Sequence, residues 1–178
     1  DSSFNFKIYG ANKNTDINEV SKKLLDPTLW PVSFDMLNAK VEFINIDSES
    51  IVVGNDIKVS HISHPHPNGA SSFKITKNNF SIVYTTDCEH TNNILNKNVL
   101  KISQDANILI HDSHFTVEDL PKHSGWGHSS WEEAVNVAIK SKVEKLILFH
   151  YNPEYSDNEV EKMELNAQNS FNNTIAAK

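Results

Sequence analysis

The apolar run Leu146-Ile-Leu-Phe149 constrains the fold of this chain more than any other stretch. A continuous apolar run of this length is typical of a strand that is buried on both faces, as in a parallel sheet. The run stops at His150, and a loop containing Pro153 follows. A histidine in this position is well placed to be a ligand, because the strand fixes its backbone while the loop opens a cavity.

Other apolar segments end in the same way. Residues 57–64 lead to His66, residues 80–86 lead to Asp87, and residues 107–110 lead to His111 and Asp112. Strands that deliver histidine and aspartate side chains at their ends predict a metal site on the rim of a sheet.

Composition narrows the class of protein. The chain has 178 residues, enough for one domain, and we predict a single domain over residues 1–178. All 16 basic residues are lysine and the formal net charge is −7, which argues against a large nucleic acid and favours a small anionic substrate. No apolar run reaches the roughly 18 residues of a membrane span. The one cysteine, Cys88, fits a reducing compartment, so we expect a cytoplasmic protein without a membrane partner.

Local patterns along the chain predict a mixed α/β fold. Overlapping S-x-x-E capping boxes at Ser129 and Ser130 open a helix with an apolar stripe. The remaining patterns predict strands over 4–10, 41–46, 51–53 and 57–63, a hairpin of 72–76 with 80–86, a helix over 16–25 capped by Thr15 or Asp16, a helix over 92–103 with Ile94 inward, and a last helix from Asp157 that frays after Leu165.

Several of the nine histidines are candidates for chemistry, together with one aspartate. His64 and His66 share one face of an extended segment, so either could reach a metal ion. Asp87 offers a hard oxygen ligand that can bridge two cations, and the alternative is an Asx-turn residue. Cys88 points away from Asp87 if the strand continues, and we interpret it as a small buried hydrophobe.

His128 precedes the capping serines, at the amino end of a predicted helix. The helix dipole favours anions there, and an imidazole at this point could donate a proton to a leaving oxygen. The alternative is that Gly-Trp-Gly-His is only a loop that aims the helix.

Segments of this chain resemble, in order, those of metallo-β-lactamase-fold hydrolases. The resemblance is to the phosphodiesterase and ribonuclease-Z-like branch, which includes cyclic-phosphate phosphodiesterases. The matching segments are 66–75, 83–90, 109–115, 125–130 and 148–157. Single motifs of this kind are weak evidence, whereas an ordered set is strong.

The resemblance implies an αββα sandwich with two divalent metal ions, usually zinc, with manganese or iron as alternatives. His66 would bind the first metal, with His64 as the alternative, Asp87 would bridge both metals, and His150 would bind the second. His128 would assist the leaving group. The implied reaction is attack of a metal-bridging hydroxide on a small phosphodiester, such as a cyclic nucleotide or cyclic phosphate.

One departure from the family is large. The family's main motif, H-x-H-x-D-H, is not in this sequence, and His64-x-His66 imitates only its first half. About two protein ligands are left for each metal, so we expect the C-terminal two-thirds of a hydrolase domain, catalytically incomplete by itself. The alternatives are a metal-poor binding or regulatory module of the same fold and a generic α/β domain with core histidines. A homodimer is a further expectation.

Overall fold

A computed structural model describes residues 4–11, 16–92 and 94–177. The chain divides into two compact units, with the boundary between Glu49 and Ser50. The prediction of one domain over the whole chain stays a prediction.

The first unit pairs two parallel strands, β1 (Asn5–Gly10) and β2 (Lys40–Asn45). Helix α1 (Ile17–Leu24) lies between them in the chain, and a 3₁₀ turn covers Phe34–Met36. The side chain of Asp16 accepts the backbone N–H of Asn18 and so caps α1, as one of the two predicted caps. The other, Thr15, lies outside the described residues.

The second unit is built on a seven-stranded sheet with the strands in chain order. The first four strands are antiparallel neighbours, and the last four run parallel to one another. The strands are β3 (Ser50–Val53), β4 (Ile57–His64), β5 (Ala70–Lys77), β6 (Phe80–Thr85), β7 (Ile108–Asp112), β8 (Lys145–Phe149) and β9 (Thr174–Ala176).

The parallel strands require crossover connections, and a helix lies in each. These helices are α2 (Lys97–Ser103), α3 (Trp131–Lys140) and α4 (Asp157–Ser170). Helix α3 packs on β7 and β8, where Leu109, Leu146 and Leu148 are fully buried. The core therefore fixes the parallel strands, and the mixed α/β prediction is confirmed.

Strand direction brings the predicted site residues to one edge. Strands β4, β6, β7 and β8 all run the same way, because two antiparallel steps relate β4 to β6. Their carboxyl ends therefore meet at one edge of the sheet. His66, Asp87, Asp112 and His150 lie at or just beyond those ends.

Two sequence predictions in this unit are wrong. Helix α2 begins only at Lys97, because the Asn96 side chain accepts the N–H groups of Asn98 and Val99, and Ile94 is 71% exposed. Residues after Leu165 do not fray. Helix α4 continues to Ser170, and β9 then pairs with β8, where a tertiary contact stabilises a segment of weak local propensity.

None of the described helices is long and apolar enough to cross a bilayer.

The core assignment predicts a difference between two leucines. Leu109→Ala is expected to lower the free energy of unfolding by about 2–5 kcal/mol, because the side chain is fully buried in β7. Leu165→Ala, at a site in α4 that is 57% exposed, should change it by only about 0.5 kcal/mol. Urea denaturation followed by circular dichroism measures both, and equal losses would contradict the assigned core.

Candidate metal centre

The two central candidate ligands have unusual backbone conformations. Asp87, two residues beyond β6, has φ 54°, and His150, directly after β8, has φ 61°. Residues other than glycine rarely adopt this left-handed region, although aspartate and histidine tolerate it better than most. Such conformations are enriched at functional sites, and here they aim both side chains over the sheet edge.

Asp87 lies between two histidines at equal distances. Its Oδ1 is 3.8 Å from Nε2 of His66 and 3.8 Å from Nε2 of His150. Two nitrogen or oxygen ligands on a tetrahedral zinc ion are about 3.4 Å apart, given the usual zinc–ligand distances. Small side-chain rotations would therefore let one carboxylate share a cation with each histidine. All three side chains are partly exposed, so an ion and a ligand can reach them.

The structure distinguishes His66 from His64 as a candidate ligand, which the sequence alone could not do. His66, Asp87 and His128 each offer a ligand atom within 4.8 Å of the others. His64 belongs to no such group among the described residues, and it is buried at the end of β4 with 5% of its surface exposed.

The buried carboxylate of Asp112 accepts five hydrogen bonds from the described residues. Nδ1 of His128 donates to Oδ2 at 3.0 Å, and Nδ1 of His150 donates to the same oxygen at 3.3 Å. The other donors are the backbone N–H groups of Asp87 to Oδ2 and of His114 and Ser129 to Oδ1. The Asp112 side chain, at the end of β7, thus fixes the segments that follow β6, β7 and β8. It also fixes the segment that precedes α3.

These hydrogen bonds determine the charge of Asp112. Burial by itself would raise its pKa, but the hydrogen bonds from His128 and His150 more than offset burial, so the pKa lies well below its ordinary value. The carboxylate is therefore ionised, and it raises the pKa of His150 through the same contact.

The same contacts determine which ring nitrogen each histidine presents. Because His128 and His150 donate through Nδ1, the lone pair of each neutral ring is on Nε2. His114 donates its Nδ1–H to the carbonyl oxygen of His150 at 2.9 Å, so its Nε2 is also free. His114, His128 and His150 form a second group with ligand atoms within 4.8 Å. Their rings are packed together, with His114 stacked on His128 at 4.2 Å.

The sequence placed Asp112 among the side chains at strand ends and His114 among the candidate histidines, but it assigned neither a specific role. A usable signal existed for Asp112, because successive residues of a strand point to opposite faces, so His111 and Asp112 could not both face the site. His111 is fully buried and donates from Nδ1 to the Asp112 carbonyl oxygen. No comparable pattern distinguished His114, whose position depends on the tertiary contact with His150.

A third group of metal-binding residue types lies in the core. Cys88, His90 and His111 offer ligand atoms within 4.8 Å, and all three are buried. Nδ1 of His90 accepts the backbone N–H of Asn96, so its Nε2 carries the ring proton and cannot bind a cation. Burial also raises the pKa of the Cys88 thiol. We interpret the group as a packed polar layer, which agrees with the predicted burial of Cys88.

The loop before α3 contacts the predicted ligand His66. Gly127 has φ 90°, and a Cβ there would lie 2.2 Å from Cδ2 of His66 and 2.7 Å from Cδ of Pro67. Only glycine fits both the backbone angle and this close approach. The loop backbone therefore limits the position of the His66 ring and carries His128 beside it.

Comparison with known proteins places this chain in a family. The family model described as beta-lactamase superfamily domain matches residues 20–151. The chain belongs to this superfamily, and the predicted fold class is confirmed.

Curated relatives give the branch. Ribonuclease Z of Gemmatimonas aurantiaca is 37% identical over 79 residues, which cover 44% of this chain and 25% of that protein. Ribonuclease Z of Pyrococcus abyssi is 29% identical over 151 residues, which cover 85% of this chain and 40% of that protein. The chain thus resembles the ribonuclease-Z-like branch and spans well under half the length of these relatives.

Solved structures agree on the fold. The metallo-beta-lactamase fold protein YhfI of Bacillus subtilis superposes with a TM-score of 0.74 at 20% identity, covering 97% of this chain and 61% of that one. The short form of human tRNase Z superposes with a TM-score of 0.61 at 18% identity, covering 82% and 60%.

The contact between Gly127 and His66 predicts a weaker metal site in Gly127→Ala. The new methyl group displaces the His66 ring, and zinc affinity should fall about tenfold or more. Gly125→Ala is the matched control, because Gly125 also has a positive φ, 85°, but its Cβ would meet no described atom within 4 Å. Competition with a chromophoric chelator measures both affinities, and equal values would contradict the contact.

The hydrogen bond from His150 to Asp112 predicts a pKa change. In metal-free protein, Asp112→Asn should lower the pKa of His150, because a neutral amide no longer stabilises the imidazolium. Since the folded pKa of His150 is raised, its contribution to stability is present below the unfolded pKa and is lost as pH rises through the folded pKa.

NMR titration of the His150 ring protons measures this pKa. Asp56→Asn, in the turn between β3 and β4 at the opposite end of the sheet, is the control and should leave it unchanged. An unchanged or higher His150 pKa in the Asp112 variant would contradict the assigned hydrogen bond.

Proposed function

We propose that this chain carries the catalytic sheet edge of a divalent-metal-dependent phosphodiester hydrolase. The observation that carries the proposal is the position of Asp87, whose Oδ1 is equidistant from His66 and His150. A carboxylate between two imidazoles suits a pair of cations that share one bridging ligand. Phosphodiester hydrolysis is a common reaction at such paired metal sites.

The residues present fit divalent cations such as zinc, manganese or iron. His66 and Asp87 would hold one ion, His150 and Asp87 would hold the other, and His114 and His128 are within reach of these positions. Bound cations would supply Lewis acidity toward the phosphoryl oxygens and lower the pKa of water. The number and identity of the ions stay predictions.

His128 is the proposed proton donor to the leaving oxygen. Its Nδ1 is held on the Asp112 carboxylate at 3.0 Å, which leaves Nε2 to act as the donor, and a ring nitrogen of His128 lies within 4.8 Å of the ligand atoms of His66 and Asp87. The imidazolium form of His128 can release its Nε2 proton as negative charge develops on the leaving oxygen. Asp112 acts through His128 and is a positioning residue.

A small phosphodiester is the proposed substrate. The net charge of −7 and the lack of arginine disfavour an extended RNA contact surface. The turn that joins β5 to β6 has only two residues, so it offers no long arm for contact with RNA.

The location and the oligomeric state are also proposals. The buried free thiol of Cys88 supports the proposed cytoplasmic location, and a homodimer stays a prediction.

A ribonuclease acting on RNA is the second candidate. Curated relatives named ribonuclease Z, which cover up to 85% of this chain, favour it. A metal-poor regulatory module is the remaining alternative, and its main support is the missing H-x-H-x-D-H motif.

The experiment compares leaving groups in the protein at its natural length, loaded with zinc or manganese. A nucleoside 2′,3′-cyclic phosphate has an alkoxide leaving group that needs a proton, whereas bis(p-nitrophenyl) phosphate does not. His128→Gln should reduce kcat/KM for the cyclic ester by about 10²–10⁴-fold and for the aryl ester much less. Asp87→Asn should abolish both activities, since it removes the shared ligand.

His61→Gln is the matched control, because His61 lies within β4 and belongs to none of the groups of candidate ligands found among the described residues. Equal losses on both esters in His128→Gln would overturn its role as proton donor. Cleavage of RNA with no turnover of either small ester would favour the ribonuclease. Unmodified protein that binds little metal and hydrolyses none of these substrates would favour the metal-poor regulatory module.

A further inference from the structure

A large aromatic side chain is exposed next to the candidate metal centre. Trp126 is 60% exposed and lies between Gly125 and Gly127. Gly127 contacts the proposed ligand His66. Trp126 directly precedes Gly127 in the chain, so the α-carbons of the two residues are about 3.8 Å apart. Because the Trp126 side chain is exposed, its aromatic face is accessible to a ligand.

The backbone on both sides of Trp126 is held by one carboxylate. Oε1 of Glu89 accepts the N–H of Gly125 at 2.6 Å, and Oε2 accepts the N–H of Gly127 at 3.0 Å. Glu89 follows Asp87 by two residues, so the segment that supplies the shared ligand also holds this loop. Hydrogen bonds to an ionised acceptor are stronger than neutral ones, and two of them fix the loop orientation.

The indole is also supported from the protein side. His123 contacts Trp126 edge-on, with ring centroids 4.7 Å apart, and stacks on Phe115 at 4.4 Å. Phe115 is 1% exposed and contacts His114 and His128 of the candidate centre. Aromatic contacts therefore connect the exposed indole to the buried core.

We propose that Trp126 is a stacking platform for the nucleobase of a small phosphodiester bound at the metal centre, and that Glu89 is the residue that positions it. This inference rests on the proposed function and specifies its substrate class as nucleotide esters. An indole recognises a planar heterocycle through its π-face and needs no charge, which suits an acidic protein without arginine. The phosphate would lie at the cations and the base against the indole.

The test compares two esters that share the reacting group. One is a nucleoside 2′,3′-cyclic phosphate, and the other is glycerol 1,2-cyclic phosphate, which has no base. In the metal-loaded protein at its natural length, Trp126→Ala should raise KM for the nucleotide by about 5- to 100-fold more than for the glycerol ester. Trp126→Phe should restore most of the difference, because it retains an aromatic face.

Phe80→Ala is the control, since Phe80 is 50% exposed and begins β6, at the end of the sheet opposite to the candidate centre. It should leave the ratio of the two KM values unchanged. Equal effects of Trp126→Ala on both esters, or no effect on either, would overturn the platform.

Glu89→Gln tests the positioning role through the same ratio. The amide can accept one of the two glycine N–H groups but presents its own N–H₂ to the other. We expect a KM increase that is larger for the nucleotide, with kcat changed less. A fall in kcat alone, with the ratio of KM values unchanged, would overturn this role.

Direct binding separates failure of the platform from failure of the proposed function. Isothermal titration of metal-loaded protein with adenosine 5′-monophosphate requires no turnover. Tighter binding of this nucleotide than of glycerol phosphate, lost in Trp126→Ala, supports the platform even if neither ester is hydrolysed. Equal affinity for the two ligands in the unmodified protein overturns it, whatever the activity.

Discussion

The candidate centre depends on the hydrogen bonds that the ionised carboxylate of Asp112 accepts at the buried end of β7. An uncompensated charge in the core would be costly, so the surrounding donors must all be present together. These donors come from separate segments that include Asp87, His128 and His150. The folded sheet edge therefore stabilises the carboxylate, and the carboxylate in turn fixes the positions and tautomers of the imidazoles.

This dependence links the core to the chemistry. Leu109 and Leu148 hold β7 and β8 in register, which places Asp112 beside Phe149 and therefore beside the start of the His150 segment. The left-handed conformations of Asp87 and His150 then become tolerable, because the neighbouring hydrogen bonds and strands compensate for them. The Gly127 loop adds a steric limit on the position of the His66 ring.

Much of this was accessible from the sequence, for reasons that differ by residue. The apolar run before His150 predicted its strand, and parallel strands bring their ends to one edge, so His66, Asp87 and His150 could be grouped. Periodicity could not choose between His64 and His66, since both lie on one face of an extended segment.

Other features depended on tertiary contacts that local patterns do not encode. The last strand, β9, forms from an Asn- and Ala-rich tail only because β8 offers a free edge. The acceptor role of Asp112 needs donors up to 38 residues away in the chain, as for His150. The support of Trp126 by Glu89 spans a similar distance. The motif Gly-Trp-Gly-His by itself indicated either a proton-donating His128 or a loop that aims the helix, and no role for Trp126.

The most direct test of this account is an anomalous-difference map at the zinc absorption edge, from crystals of the protein grown with zinc. The account predicts a peak within about 2–2.5 Å of Asp87 Oδ1 and of Nε2 of His66 or His150. At saturating zinc, a map with no peak near Asp87, or with peaks only at the buried group of Cys88, His90 and His111, would contradict it.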